Sequence, residues 1–393
     1  MRILSIGAGG VGSAAALIAA RRGFFDRYVV ADYDPARAER AVAGLDDRFT
    51  AAQVDASDAG AVASLCRAHA ITHVLNAVDP RFVMPVFEGA LAAGADYLDM
   101  AMSLSDAATG VRLGDTQFAA EAQWTGAGRL ALVGMGVEPG LSDVFARYAA
   151  DHLFSEIDEI GIRDGGNLVV EGYDFAPSFS IWTTIEECLN PPVVYERDRG
   201  WFTVEALSEP ELFDFPGGIG PVECVHVEHE EVLLIPRWVG ARRVTFKYGL
   251  GKEFIDVLRT LHKLGLDRTA PVLVGGVPVS PRDVVAAVLP DPATLGARMT
   301  GATCAGTLVS GLDKQGRPST VYLYHVVDNQ WSMSEYGSQA VVWQTAVNPV
   351  VALELLAAGT WSGSGVLGPE AFDAVPFLDL LTAYGSPWAL RVQ

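Results

Sequence analysis

The chain has 393 residues, of which 50% are hydrophobic and 19% charged, and a formal net charge of −20. That composition belongs to a globular chain of about two domains and excludes a disordered one. So acidic a surface repels phosphate backbones and anionic membranes, which argues against nucleic acid or a membrane surface as a partner.

Residues 3–6 read as a short buried strand, followed at once by Gly7-Ala8-Gly9-Gly10-Val11-Gly12 and an Ala-rich helix over 13–22. Strand, glycine turn and helix in that order are the context that makes GxGxxG a dinucleotide-binding fingerprint. Gly7 permits the tight turn, Gly9 lets the backbone approach the pyrophosphate, and Gly12 allows close helix–strand packing. The helix N-terminus, with Gly10 and Val11 in its first turn, offers free amides and a positive dipole end to the phosphates. A second strand over 28–31 ends at Asp32, about 20 residues beyond Gly12, where a carboxylate bonds the adenosine ribose and repels a 2′-phosphate. NAD is therefore expected ahead of NADP, although Arg37 stands near enough to hold a phosphate if Asp32 turned away.

Further strands are expected over 50–54, 73–77, 97–100 and 130–135, alternating with helices. The pattern is α/β, a Rossmann doubly wound parallel sheet. Ligands collect at the carboxyl ends of such strands. This places Asp55 beside the adenine and Asn76 and Ala77 along the cofactor; Asp99 suits either the cofactor site or a structural role. Beyond Gly136-Val137-Glu138-Pro139-Gly140 a helix with Leu141, Val144, Phe145 and Tyr148 leads out of the sheet. Strands are expected at 160–163, 231–235, 243–246 and 320–327, with an amphipathic helix over 254–264. They give a second, mixed α+β domain over 137–335. Residues 336–393 return to the first domain, 1–136, and the N–H lost at Pro349 predicts a kink or a fresh helix start within 340–358.

Cys66, Cys188, Cys224 and Cys304 are scattered without CxxC spacing, so neither a zinc site nor a disulfide framework is indicated. The first residues lack the pattern of a secretory signal, and the apolar stretch 14–20 is too short to cross a bilayer. A cytoplasmic protein is expected.

Glu138 and Asp143, after the sixth strand, suit amine recognition or proton transfer, and Glu138 equally suits capping the next helix. Ser180 and Thr183 lie in a stretch rich in aromatics and hydroxyls, fit for a small polar substrate or a core edge. Glu186 and Glu187 follow on a helix, one of them solvated, and Glu186 is the candidate for binding substrate. His229 stands among His226, Glu228, Glu230 and Glu231. With an ordinary pKa near 6.5 it is a candidate proton carrier, while alternating His and Glu also suits an exposed sheet face. Nothing completes a ligand set around the histidines, so no metal is expected. Arg243 and Lys247 are candidates for a substrate carboxylate, or else part of a surface strand paired with acidic neighbours.

The order of motifs resembles the saccharopine dehydrogenase/reductase family. The residues that carry the likeness are the glycine turn, Asn76-Ala77-Val78-Asp79-Pro80, Asp96-Tyr97-Leu98-Asp99-Met100-Ala101 and Gly136-Val137-Glu138-Pro139-Gly140. Gly220-Pro221-Val222-Glu223-Cys224, Arg243-Val244-Thr245-Phe246-Lys247 and Gly365-Val366-Leu367-Gly368-Pro369-Glu370 extend it over nearly the whole chain. The resemblance implies an NAD(P)-dependent oxidoreductase acting on a C–N bond of an amino-acid- or polyamine-derived secondary amine or imine. Lysine 6-dehydrogenase and carboxy(nor)spermidine dehydrogenase are alternative activities within it; a dinucleotide-binding protein without turnover is the alternative outside it. It also implies a homodimer whose second domain supplies the subunit contact, and a small-molecule amine as the partner. NADP-using relatives carry Arg–Thr or Arg–Ser after the second strand, where this chain has Asp32-Tyr33-Asp34, which again favours NAD.

Overall fold

The computed structural model describes residues 1–106 and 108–393 and, for Ala293, the backbone alone. Six short strands, β1 (Arg2–Ile6), β2 (Arg27–Asp32), β3 (Phe49–Gln53), β4 (His73–Asn76), β5 (Asp96–Asp99) and β6 (Leu130–Leu132), lie in one parallel sheet. Helices cover both faces, which is why β1, β2 and β4 are almost continuously buried apolar runs. Gly365–Leu367 adds a seventh strand beside β6, giving the order 365–367, β6, β5, β4, β1, β2, β3. The order reverses direction at β1 and β4, so the crevice beyond their carboxyl ends is where such a sheet takes a ligand.

β7 (Phe154–Gly166) leads into a nine-stranded mixed sheet. It pairs parallel with Ala241–Gly249 and antiparallel with Ala302–Asp313, which in turn pairs with Pro318–Asp328. The last strand, Ala389–Val392, joins this second sheet beside 318–328. The final residues therefore leave the unit that 336–393 was expected to complete.

Two expected elements differ. Residues 231–235 form the start of a helix, Glu231–Trp238, and not a strand. The five are all buried, and a short apolar run buried on every side has no period to distinguish the two. Glu231 in its first turn also suits a helix dipole. The apolar C-terminal stretch is one helix, Ala340–Ala357, with Pro349 inside it and no fresh start. The Asn348 side-chain amide donates to the Gln344 carbonyl (2.7 Å), so a side chain supplies a donor in the turn that Pro349 deprives of one. This helix is long and apolar enough to cross a membrane by length and composition, and 72% of it is buried inside the protein.

A candidate active site between the two sheets

The carboxyl ends of the parallel sheet and the near end of β7 enclose a cleft of about 520 Å³. Its floor on the first sheet is backbone. Gly7 has φ +105°, and a Cβ there would lie 2.4 Å from the Ala77 carbonyl oxygen. A Cβ on Gly12 would lie 1.9 Å from the Gly7 carbonyl oxygen, so neither position admits a side chain. Gly9, by contrast, has nothing within 4 Å of its Cβ position and opens into the cleft. The helix α1 (Gly10–Ala20) begins there, its first internal bond running from Ser13 N to the Gly9 carbonyl (3.0 Å). The amides before Ser13 are left for an anion. Val11, Asn76 and Ala77 line the same cleft. A pyrophosphate fits this cradle.

Asp32 is buried and holds the turn itself: its carboxylate accepts from Ala8 N (2.8 Å) and Asp34 N (3.0 Å). A carboxylate has about four lone-pair sites, so two remain beside these bonds, but Asp32 is not among the residues that line the cleft. Arg37 reaches the cleft wall. Asp55 is exposed, bonded to Ser57, and off the cleft wall. Asp99 touches the cleft, but its oxygens accept from Gly134 N (2.6 Å) and Gln117 Nε2 (2.7 Å). Burial raises its pKa to about 7 against those donors. Its bonds tie β5 to the turn after β6, a structural position.

The other end of the cleft is built from side chains. Ser180 caps the helix Ile181–Leu189, accepting from Thr183 N (3.3 Å). Thr183 and Glu187, one turn apart, share a face and line the cleft. Glu186 is rotated off that face and pairs with Arg282, away from the cleft. In the strand Ala241–Gly249 alternate residues face opposite sides. Phe246 lies flat on the His229 ring (3.9 Å, 4°) and Tyr248 lines the cleft. Arg243 and Lys247 consequently point to the other face: Lys247 Nζ is 2.8 Å from Glu211, and Arg243 is 3.5 Å from Glu209. They do not meet the cleft, so their expected place beside a substrate carboxylate is corrected by strand parity. β7 repeats the pattern: Asp164, register partner of Tyr248, lines the cleft while Arg163 faces Glu211.

Of the two acids after β6, Glu138 lines the cleft. Asp143 does not: it is fully buried and accepts from Gly140 N (2.7 Å), capping the helix Leu141–Tyr148. The capping role suggested for Glu138 thus falls to Asp143. His229 is buried, its Nδ1 2.5 Å from a Glu231 carboxylate oxygen and 3.4 Å from Glu230. Glu231 is fixed from behind by the Ser142 hydroxyl (2.8 Å). His226 lies on the far side, beside Glu209.

Electrostatically this end is crowded. Burial raises the Glu187 carboxyl to about 8, against the pull of His229. Glu138 sits well above the usual carboxylate range because burial and the adjoining Asp164 both disfavour its charge, and burial raises Asp164 to about 6. Glu230 is also raised by burial. Burial would lower His229, yet Glu231, Glu230 and Glu187 outweigh it and hold the imidazole up at about 10, as a cation. His229, Glu230 and Glu231 bring one ligand atom each within 4.8 Å of one another, a set of metal-ligating side chains that the sequence reading, which expected no metal, does not assemble.

Asp164, Glu187, Glu230 and Tyr248 escaped selection from the sequence. In the sequence Glu230 is one of an alternating His–Glu run that suits an exposed face, and nothing local separates Glu187 from its neighbour Glu186. The signal for Asp164 was its position just before Gly165-Gly166 at a strand end.

Comparison with known proteins places this geometry. The model of the saccharopine dehydrogenase NADP binding domain matches residues 3–132, and that of the saccharopine dehydrogenase C-terminal domain matches residues 136–386. Carboxynorspermidine synthase of Vibrio alginolyticus is 29% identical over 405 aligned residues, covering 100% of this chain and 97% of that protein. Carboxyaminopropylagmatine dehydrogenase of Synechocystis sp. is 29% identical over 391, covering 98% and 96%. Among solved structures, apo saccharopine dehydrogenase (L-Glu forming) of Saccharomyces cerevisiae aligns with a TM-score of 0.72 at 15% identity, over 100% of this chain and 99% of that one. Homospermidine synthase of Legionella pneumophila, in complex with NAD, aligns at 0.67 and 12% identity, over 100% and 91%. The solved structures establish the shared fold.

Proposed function

The chain belongs to the saccharopine dehydrogenase family, and we propose that it is a nicotinamide-dependent dehydrogenase acting at a C–N bond of a polyamine-derived secondary amine or its imine. One observation carries the substrate half of this reading. Glu138, Asp164, Glu187 and Glu230 converge on the end of the cleft, where His229 is the cation; among the described lining residues the other is Arg37, at the nucleotide end. Saccharopine, whose three carboxylates outnumber its two amino nitrogens, is poorly matched by such a wall. A substrate with several ammonium groups matches it, and the names of the two relatives join a carboxyl group to a polyamine or agmatine skeleton.

In the reductive direction an amine and an aldehyde join with loss of water. The imine then takes hydride at carbon and a proton at nitrogen, giving a secondary amine and oxidised dinucleotide. The dinucleotide supplies that hydride, or accepts it in reverse. Glu187 and Glu230 hold substrate ammonium groups by charge-assisted hydrogen bonds. His229, whose Nδ1 is anchored to Glu231, has Nε2 left to move the proton to and from the reacting nitrogen. NAD is the preferred dinucleotide in this reading, supported by Asp32 at the end of β2. The working form is a cytoplasmic homodimer; its four cysteines, all buried and unpaired, agree with a reducing compartment.

A panel of saccharopine, lysine, carboxyspermidine and carboxylated agmatine conjugates, each with NAD and NADP, tests this by absorbance of the reduced cofactor. Turnover of a polyamine-type amine with NAD is expected. Preference for saccharopine overturns the substrate reading, preference for NADP overturns the role of Asp32, and no oxidation of any amine or reduction of the matching imines overturns the activity.

A further inference from the structure

A second cavity of about 150 Å³ opens behind the cleft. The two share Val137, Glu138, Asp164, Phe179, Tyr248 and Val341, so the Glu138–Asp164 pair and Tyr248 form a polar collar at the passage between them. Beyond the collar the wall is mainly apolar, with Leu168, Val170, Ala176 and Phe254. Glu138 Oε1 is buried with no hydrogen-bond partner among the described residues, an acceptor at the passage left for an incoming donor.

We propose that this cavity is the subsite for the far arm of the amine substrate. The arm's methylenes pack against Leu168, Val170 and Phe254, and an ammonium group sits in the collar between Glu138 and Asp164. A cavity of ~150 Å³ holds a group the size of benzene, about six heavy atoms, which suits an aminoalkyl arm. The neighbouring space bounded by Trp182, Glu186 and Glu228, also acidic, measures about 30 Å³ and holds roughly one water. It is too small for the arm. Charge and size together select the cavity behind the collar: an amine is drawn through carboxyl groups into an apolar end, so the enzyme reads both a second basic nitrogen and the length of the chain that carries it.

The inference rests on the amine-dehydrogenase reading, and the experiment separates the two. Binding of propylamine, diaminopropane, diaminobutane and agmatine to the dinucleotide-loaded protein is measured by calorimetry, alongside turnover of the carboxylated amines. Two plugs, Leu168→Trp and Ala176→Phe, fill the cavity from different walls, so that one misfolded variant does not decide the outcome; Asp164→Asn weakens the collar. The native protein should bind the longer diamines at least ~10-fold tighter than propylamine, about 1.4 kcal/mol. Both plugs should remove that advantage without changing dinucleotide or propylamine binding, and Asp164→Asn should weaken diamines more than the monoamine. If the plugs leave the advantage intact, or the native protein shows none, the subsite is overturned while amine turnover stands. If no amine is bound or turned over, the reading beneath it fails as well.

Discussion

The two ends of the cleft are built in opposite ways. The dinucleotide end is backbone: Gly7, Gly9 and Gly12 lie in one segment, and what they contribute is the absence of side chains. The amine end is side chain: Glu138, Asp164, Glu187, His229, Glu230 and Tyr248 come from separate strands, loops and a helix. A backbone site admits no side chain at its tight positions, Gly7 and Gly12, but says little about chemistry, since one phosphate cradle serves many reactions. A side-chain site tolerates more and specifies more.

The largest effect belongs to the backbone end. A Cβ on Gly12 falls 1.9 Å from the Gly7 oxygen, so Gly12→Val has to displace the turn that Gly9 presents to the phosphates. Dinucleotide affinity should fall by more than ~10³-fold, over 4 kcal/mol, in a protein whose circular dichroism still shows both sheets. Affinity within about tenfold of native would mean that the turn is not the cradle.

Second comes His229→Asn, which keeps a polar group on Phe246 and removes the titrating ring. The expected loss in kcat is ~10²–10³-fold, in the range for a general acid–base residue, with the pH limb due to the imidazole gone. Dinucleotide affinity should hold. A variant that loses only affinity for the amine, with its pH limb intact, would make His229 a positioning residue.

The same contrast explains what was legible in the sequence. Strand–glycine–helix is a local pattern, and the parallel sheet follows from short apolar strands alternating with helices; both can be read without knowing what touches what. The acidic wall depends on parity and rotation in elements far apart. Arg243 and Lys247 were reasonable cations beside a substrate until strand alternation put Phe246 and Tyr248 on the cleft face instead. Glu186 and Glu187 are adjacent, and a rotation of one residue decides which pairs with Arg282 and which meets the substrate. Asp143 and Glu138 follow one strand end, yet one caps a helix and the other lines the cavity.

That single rotation supplies the third test. Glu187→Gln should raise KM for the amine by ~10-fold or more, as removal of a charged hydrogen-bonding partner commonly costs about 1.5–3 kcal/mol, with KM for the dinucleotide unchanged. Glu186→Gln should leave the amine KM within about twofold, its effect confined to stability through Arg282. Equal effects on amine KM would erase the distinction between the two faces of that helix.

The smallest effect is on stability, and its sign is fixed by the acids. Glu187 has an ordinary pKa of 4.5 and is raised to about 8 in the fold; Asp164 is raised from 3.8 to about 6. The folded protein therefore binds protons that the unfolded chain has released. The stability these groups contribute is present below their ordinary values and is lost as pH rises through about 6 and then about 8. The melting temperature of the unliganded protein should fall across that window, by roughly 2–4 °C for each kcal/mol lost. Glu187→Gln, which carries no proton to lose, should flatten the upper part of the slope. A diamine reverses the cost by placing cations beside the carboxylates and expelling their protons, so its stabilising effect should be larger at pH 8 than at pH 5. The dinucleotide, held by backbone amides that do not titrate, should stabilise nearly equally at both. If the diamine stabilises equally at both as well, its ammonium groups do not sit among these acids.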